Sequence, residues 1–211
     1  MRTSISTSIF LFAFMLISCN NNNEYWDNDY LLNNISDCVD SFWENNDSSL
    51  LYIGLQLADS GIRNYSEKEN FIIEKVRILR ILNQYDNAIS FVELLPDSLF
   101  SYKYKKKYLN NITKSIQADK NKDTNESKKI IIETVNYIES QNISIINNDY
   151  PSIFVLLDYY LIRSLYEPTT LLIEEIKNRE IDDDSKEFII VNTENLDKVK
   201  YYGGQISSLQ R

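Results

Sequence analysis

Histidine is absent from this chain of 211 residues, and glycine (4), proline (3) and cysteine (2) are nearly so. Without imidazole there is no Ser-His-Asp or Cys-His constellation and no histidine ligand for a metal. Four glycines cannot build a phosphate-cradling loop together with the turns of a sandwich or barrel, which needs a turn residue every 8–12 positions. Positive charge is also in deficit, with 22 Lys and Arg against 31 Asp and Glu. An acidic chain lacks the cationic surplus that phosphate backbones require, so nucleic acid is excluded as a partner. Adhesion to an anionic membrane by charge alone is excluded with it. What remains is a composition ordinary for a folded protein, 43% hydrophobic and 25% charged, long enough for one domain and a short appendage.

The one long apolar run lies at the start. Arg2 precedes an unbroken stretch from Ile9 to Ile17, well short of the ~20 residues a membrane-spanning helix needs. It ends in Leu16-Ile17-Ser18-Cys19. A small residue directly before a cysteine, behind an aliphatic pair, resembles the lipobox of bacterial lipoproteins. The resemblance implies cleavage between Ser18 and Cys19, diacylglycerol on the Cys19 thiol and an N-acyl chain on the new terminus. The competing readings are an uncleaved signal anchor and an ordinary secretory signal. Two or three acyl chains hold a protein on a membrane where one does not. No other cofactor is expected. In lipoproteins sorted by the residue after the cysteine, Asp favours the inner membrane, so Asn20 implies the outer one. Asn21-Asn22-Asn23-Glu24 suits a solvated tether and lacks the acidic run that exports some Bacteroidota lipoproteins to the cell surface, which favours a periplasm-facing protein. With Cys19 acylated, Cys38 is the sole thiol and no intrachain disulfide can form.

From residue 28 to about 180 the apolar residues recur at helical period. Leu31, Ile35, Cys38 and Phe42 make a first stripe, with Cys38 as a small core residue. A second helix is expected from Ser48 to Ser60, closed by Gly61. Ser66 and Glu69 read as a capping box opening a third, and Pro96 stops a fourth. A long helix is expected from Asp97 or Ser98 to Asp119, and another from Glu126 to Ser140, capped by Thr124 or Asn125. Pro151 suits the first turn of a helix that runs to Leu165, and Glu167-Pro168 opens a short one. Short connections make consecutive helices antiparallel neighbours. Residues 181–211 read as an acidic loop with an irregular tail, in which Phe188 to Val191 fits either strand or helix. The fold class is therefore all-α.

One helix pair carries a signature. Leu79-Arg80-Ile81-Leu82, then Asn83-Gln84-Tyr85-Asp86-Asn87-Ala88, then an apolar run to Pro96, resembles a tetratricopeptide repeat. In that family a glycine starts the turn, an aromatic residue wedges between the helices and a small residue lets them approach. Tyr85 and Ala88 match the last two roles, and Asn83 stands where the glycine would, since Asn tolerates the left-handed region. Val76 replaces the expected small residue of the first helix, and Pro96 comes early. The pairs Tyr104–Ser140, with Ser127 as small residue, and Ser152–Arg179, with Thr170, match only as helix hairpins. The resemblance implies a short α-solenoid of roughly three stacked pairs.

Candidate chemistry is sparse. Adjacent Glu174 and Glu175 point about 100° apart on a helix and cannot flank one substrate. Asp182-Asp183-Asp184 lacks the glycine and distal Glu of a calcium loop, so it reads as solvated or helix-capping, and no metal site is expected. Lys103, Lys105, Lys106 and Lys107 form a basic patch among tyrosines, which could meet a phosphate or an acidic peptide but reads first as a solvated helix face. Fifteen tyrosines exceed what a core this size needs. Because Tyr gives large contact area with few rotors, some of Tyr102, Tyr108, Tyr159, Tyr160 and Tyr166 are candidates to line a binding face, with core packing the favoured reading for any single one. No catalytic residue is assigned. The expected function is a lipid-anchored, non-catalytic repeat protein that binds a protein or peptide in the cell envelope. The alternatives are an immunity lipoprotein that neutralises a basic toxin, and an all-α envelope enzyme relying on carboxylates.

Overall fold

The computed structural model describes residues 28–141, 150–202 and 205–208, with side-chain surroundings for 28–141 and 153–194. Ser18, Cys19, the apolar run before them and the tether lie outside the described residues. Among the described residues the fold is all-α, built of adjacent antiparallel helices packed in pairs, and no helix is long and apolar enough to cross a membrane.

Helix α1 (Asn28–Asn45) buries Leu31, Ile35 and Val39, one side chain per turn, against α2 (Ser48–Asn64). The corner between them is a left-handed Asn46 (φ 54°), followed by Asp47, whose carboxylate accepts the Ser49 N–H at 2.9 Å and caps α2. Cys38 is half-buried at this contact rather than fully inside, and burial raises its thiol pKa. Gly61 does not close α2, which continues a further turn. The glycine is buried inside the helix because the Phe71 ring lies where its side chain would be: a Cβ there would stand 2.3 Å from the ring. Close approach, not a left-handed cap, fixes that glycine.

Helix α3 (Glu69–Ile81) starts at Glu69 rather than at a Ser66 cap. Ser66 lies outside the helix, and the Glu69 carboxylate accepts the Ser101 N–H at 2.7 Å, tying α3 to a later segment. The turn to α4 (Tyr85–Leu94) is left-handed at Asn83 (φ 57°), where the repeat resemblance needs a glycine-like residue. Ala88 is fully buried against Ile72, Val76 and Leu79 of α3. Tyr85 is 6% exposed, and its hydroxyl donates to Asn83 Oδ1. Pro96 is exposed and stands two residues past the end of α4.

The expected single helix from residue 97 is broken. Asp97–Leu99 form one 3-10 turn, and Phe100 turns extended (ψ 133°) to bury its ring before α5 (Lys103–Lys120) begins. A left-handed Lys122 (φ 64°) leads to α6 (Thr124–Ser140), capped by Asp123 through Glu126 N–H and not by Thr124 or Asn125. Ser127 is buried, and its Oγ lies 2.8 Å from Ser115 Oγ, so two small hydroxyl residues set the approach of α5 and α6.

Helix α7 (Tyr150–Arg163) has Pro151 in its first turn and stops short of Leu165. Helix α8 (Thr169–Lys177) buries Thr169, while Thr170, the expected packing residue, is exposed. The backbone of α7 approaches α9 (Asp183–Lys198) more extensively than it approaches α8, and α9 lies against both. Residues 183–198 are thus a helix of the folded body, where an irregular tail was expected. Ile189 is fully buried, and Asp182 caps the helix by accepting the N–H and hydroxyl of Ser185. Beyond it, β1 (Val199–Tyr202) pairs antiparallel with β2 (Gln205–Ser208), Val199 opposite Ser208.

Candidate partner-binding groove

Helices α1/α2, α3/α4 and α5/α6 pair in succession, and α7 opens the next unit. The first helices of three of these units, α3, α5 and α7, enclose a cavity of about 270 Å³. Its walls are aliphatic: Ile73 from α3, Leu109, Ile112 and Ile116 from α5, Leu161 from α7 and Leu165 from the turn just after it. These residues share one side of the array because the first helix of each pair repeats the same orientation as pairs stack. Phe100 and Tyr108 complete the wall. Leu165, at 40% exposure, is among the largest exposed hydrophobics and sits on this lining.

Polar groups enter at particular points. Asp158 of α7 accepts the Tyr104 hydroxyl at 2.8 Å and the Lys105 ammonium at 2.6 Å, which joins α7 to α5. Burial first, and the Asp158 charge second, push the Tyr104 phenol far above its usual pKa, so it stays a donor. Glu69, Arg80, Ser115 and Asp119 also line the cavity. Arg80 is 5% exposed and engaged within the fold, whereas Asp119 is exposed.

Of the five tyrosines expected on a binding face, only Tyr108 lines this groove. Tyr102 is half-buried, stacked on Tyr104 with ring centres 5.6 Å apart. Tyr166 is half-buried against the core of the second half. Tyr159 and Tyr160 are core residues: they are 7% and 0% exposed, and their hydroxyls donate to Glu139 and Glu175. Alternation on α7 explains the error, since neighbouring aromatic positions on a helix both turn inward when it is covered on two sides, here by α6 and α9. Burial pushes the Tyr160 phenol up to about 12.

The basic patch is dispersed. Lys105 pairs with Asp158, Lys106 donates to Leu95 O and to Asp97, and Lys107 lies 4.0 Å from the centre of the Tyr137 ring. Lys106 is therefore a tie between α5 and the end of α4, not a free solvated side chain. Glu175 likewise belongs to a network: Arg163 and Arg179 both donate to it, and these bonds outweigh its burial and lower its pKa. Glu174 points outward and takes no part.

None of the groove residues Ile73, Leu109, Ile112, Ile116, Asp119, Asp158 and Leu161 is assigned to a site by the sequence, in which Ile112, Ile116 and Leu161 read only as parts of helical stripes. The signal that would have found them is the shared inward face of alternate helices, which appears only when the pairs are aligned with one another. No protein-family model matches the chain, and no curated protein or solved structure matches it either.

Proposed function

We propose that this chain is a lipid-anchored, non-catalytic helical-repeat protein of the bacterial cell envelope, held at the outer membrane by acyl chains on Cys19, which captures a protein or peptide segment in the α3–α5–α7 groove. The anchor would confine it to the membrane plane and raise the local concentration of binding sites. The groove carries the reading: it is mainly apolar and lined by an exposed leucine and a tyrosine, the surface a partner's side chain can desolvate.

The carboxylate chemistry around it supports binding over catalysis. An enzyme using acids would want a perturbed pair facing one substrate. Among the described residues, Glu74 is the carboxyl that burial raises, and it does not line the groove. Asp158, which does, is engaged by Tyr104 and Lys105.

A photo-crosslinking amino acid at Tyr108, compared with one at Leu94, tests the reading in native envelopes. Leu94 is 86% exposed and outside the groove. The expected result is a discrete adduct from position 108 in the membrane fraction, absent from position 94. Equal labelling from both positions would sink the groove as the docking site. For the anchor, Cys19→Ser should abolish labelling by an alkyne fatty acid; labelling as strong as wild type overturns it.

A further inference from the structure

The groove carries a charge pattern that narrows its occupant, an inference that rests on the groove reading above. Ser101, just before α5, meets Glu69 at the start of α3, and Gln117, near the end of α5, meets Asp86 just beyond α3. Helices α3 and α5 therefore run in the same direction, and Glu69 and Asp119 stand near opposite ends of the apolar wall. The cations beside that wall are already committed. Lys105 is neutralised by Asp158 at 2.6 Å, and the Arg80 side chain is 5% exposed and engaged within the fold. A ligand lying along Ile73, Ile112 and Leu165 thus meets hydrocarbon between a carboxylate near either end. The whole chain carries nine more acids than bases, which steers a cation toward it from a distance.

We propose that the groove accepts a basic amphipathic peptide segment, with aliphatic side chains entering the wall and flanking Lys or Arg meeting Glu69 and Asp119. The aliphatic contacts supply most of the affinity, and the two carboxylates supply sign selectivity and register.

The test uses the chain from residue 20 onward, which keeps every described residue, and a short dye-labelled peptide of alternating Leu and Lys, with a Leu/Glu peptide as counterpart. Fluorescence anisotropy should give saturable binding of the Leu/Lys peptide that weakens with salt, and at least about tenfold weaker binding of the Leu/Glu peptide. Asp119→Lys should weaken the Leu/Lys peptide by about tenfold. Glu133→Lys, the same charge change at an exposed site on α6 outside the groove, should weaken it less than about twofold. Circular dichroism confirms that both variants fold. Equal weakening by the two substitutions would show general attraction to an acidic chain, and tighter binding of the Leu/Glu peptide would reverse the sign; either overturns the proposal. If the native adduct at position 108 proves to be an acidic segment, the charge assignment fails while the groove itself stands.

Discussion

The four helices from Asn28 to Leu94 and the five from Lys103 to Lys198 meet the same packing demand with different side chains. The first half closes on shape. Leu31, Ile35, Leu51, Ile72, Ile78 and Val92 are buried aliphatics, and the helices approach through Gly54, Gly61 and Ala88. The second half closes on aromatic rings that carry hydroxyls. Tyr104, Tyr159 and Tyr160 are buried, each with a carboxylate partner, and Arg163 holds Glu167 and Glu175 at 2.6 and 2.8 Å. An apolar contact tolerates loss of a few contacts but not added volume, whereas a buried polar network tolerates little loss of any member. The groove lies where the two styles meet, with Ile73 of α3 facing α5 and α7. That junction gives it both an apolar wall and fixed charges.

Breaking the network should cost most. Arg163→Met leaves Glu167 and Glu175 without their main partner in a partly dry setting, and about 3 kcal/mol of stability should go. Thermal melts should show a drop of roughly ten degrees for a chain this size; a loss under 1 kcal/mol would mean that the network is solvated. In the first half, Gly61→Val forces the Phe71 ring to move and should cost about 2–3 kcal/mol despite the better helix propensity of Val. Pairing it with Phe71→Leu should recover part of that loss, and a strictly additive double variant would remove the close-approach account.

Ala88→Leu should follow at about 2 kcal/mol, since two helices must part. Lys106→Leu loses the tie to Asp97 and Leu95 O and should cost about 1 kcal/mol. Alkaline pH then separates the halves without mutation. An unfolded tyrosine ionises near pH 10. Tyr160 folded is pushed up to about 12, so the stability it contributes is complete below pH 10 and is lost as pH climbs toward 12. The cost is on the order of 1 kcal/mol for that residue at pH 11, and tyrosinate absorbance should rise with unfolding of the second half. The smallest effect, within about 0.5 kcal/mol, is expected of Lys128→Ala on the exposed face of α6.

Helical period made the all-α class readable, because apolar spacing survives any choice of partner. The Asn83 turn was equally plain, since few residues enter the left-handed region cheaply. Other boundaries were not. Gly61 reads as a stop signal in one dimension, and only the Phe71 ring shows why it belongs inside a helix. Ser66 and Glu69 have capping-box spacing, yet Ser101 offers Glu69 a partner 32 residues away. The tyrosines of α7 were misread for a related reason. Local sequence carries amphipathicity, but burial on a second side comes from α9, whose helical nature Phe188 to Val191 left open. The groove escaped notice because no single helix contains it.

Trp43, on α1, is 42% exposed and rests against Phe42, with ring centres 4.7 Å apart; the other tryptophan, Trp26, falls outside the described residues. Indole emission from the described body therefore reports on its first helix pair, while Tyr104, Tyr159 and Tyr160 weight the tyrosine near-ultraviolet dichroism toward the far half. The indole and these phenols thus sit at separate stations along the chain. If the ends loosen independently, the two signals will melt at different temperatures, and an unmodified sample would reveal how far along the array a disturbance travels.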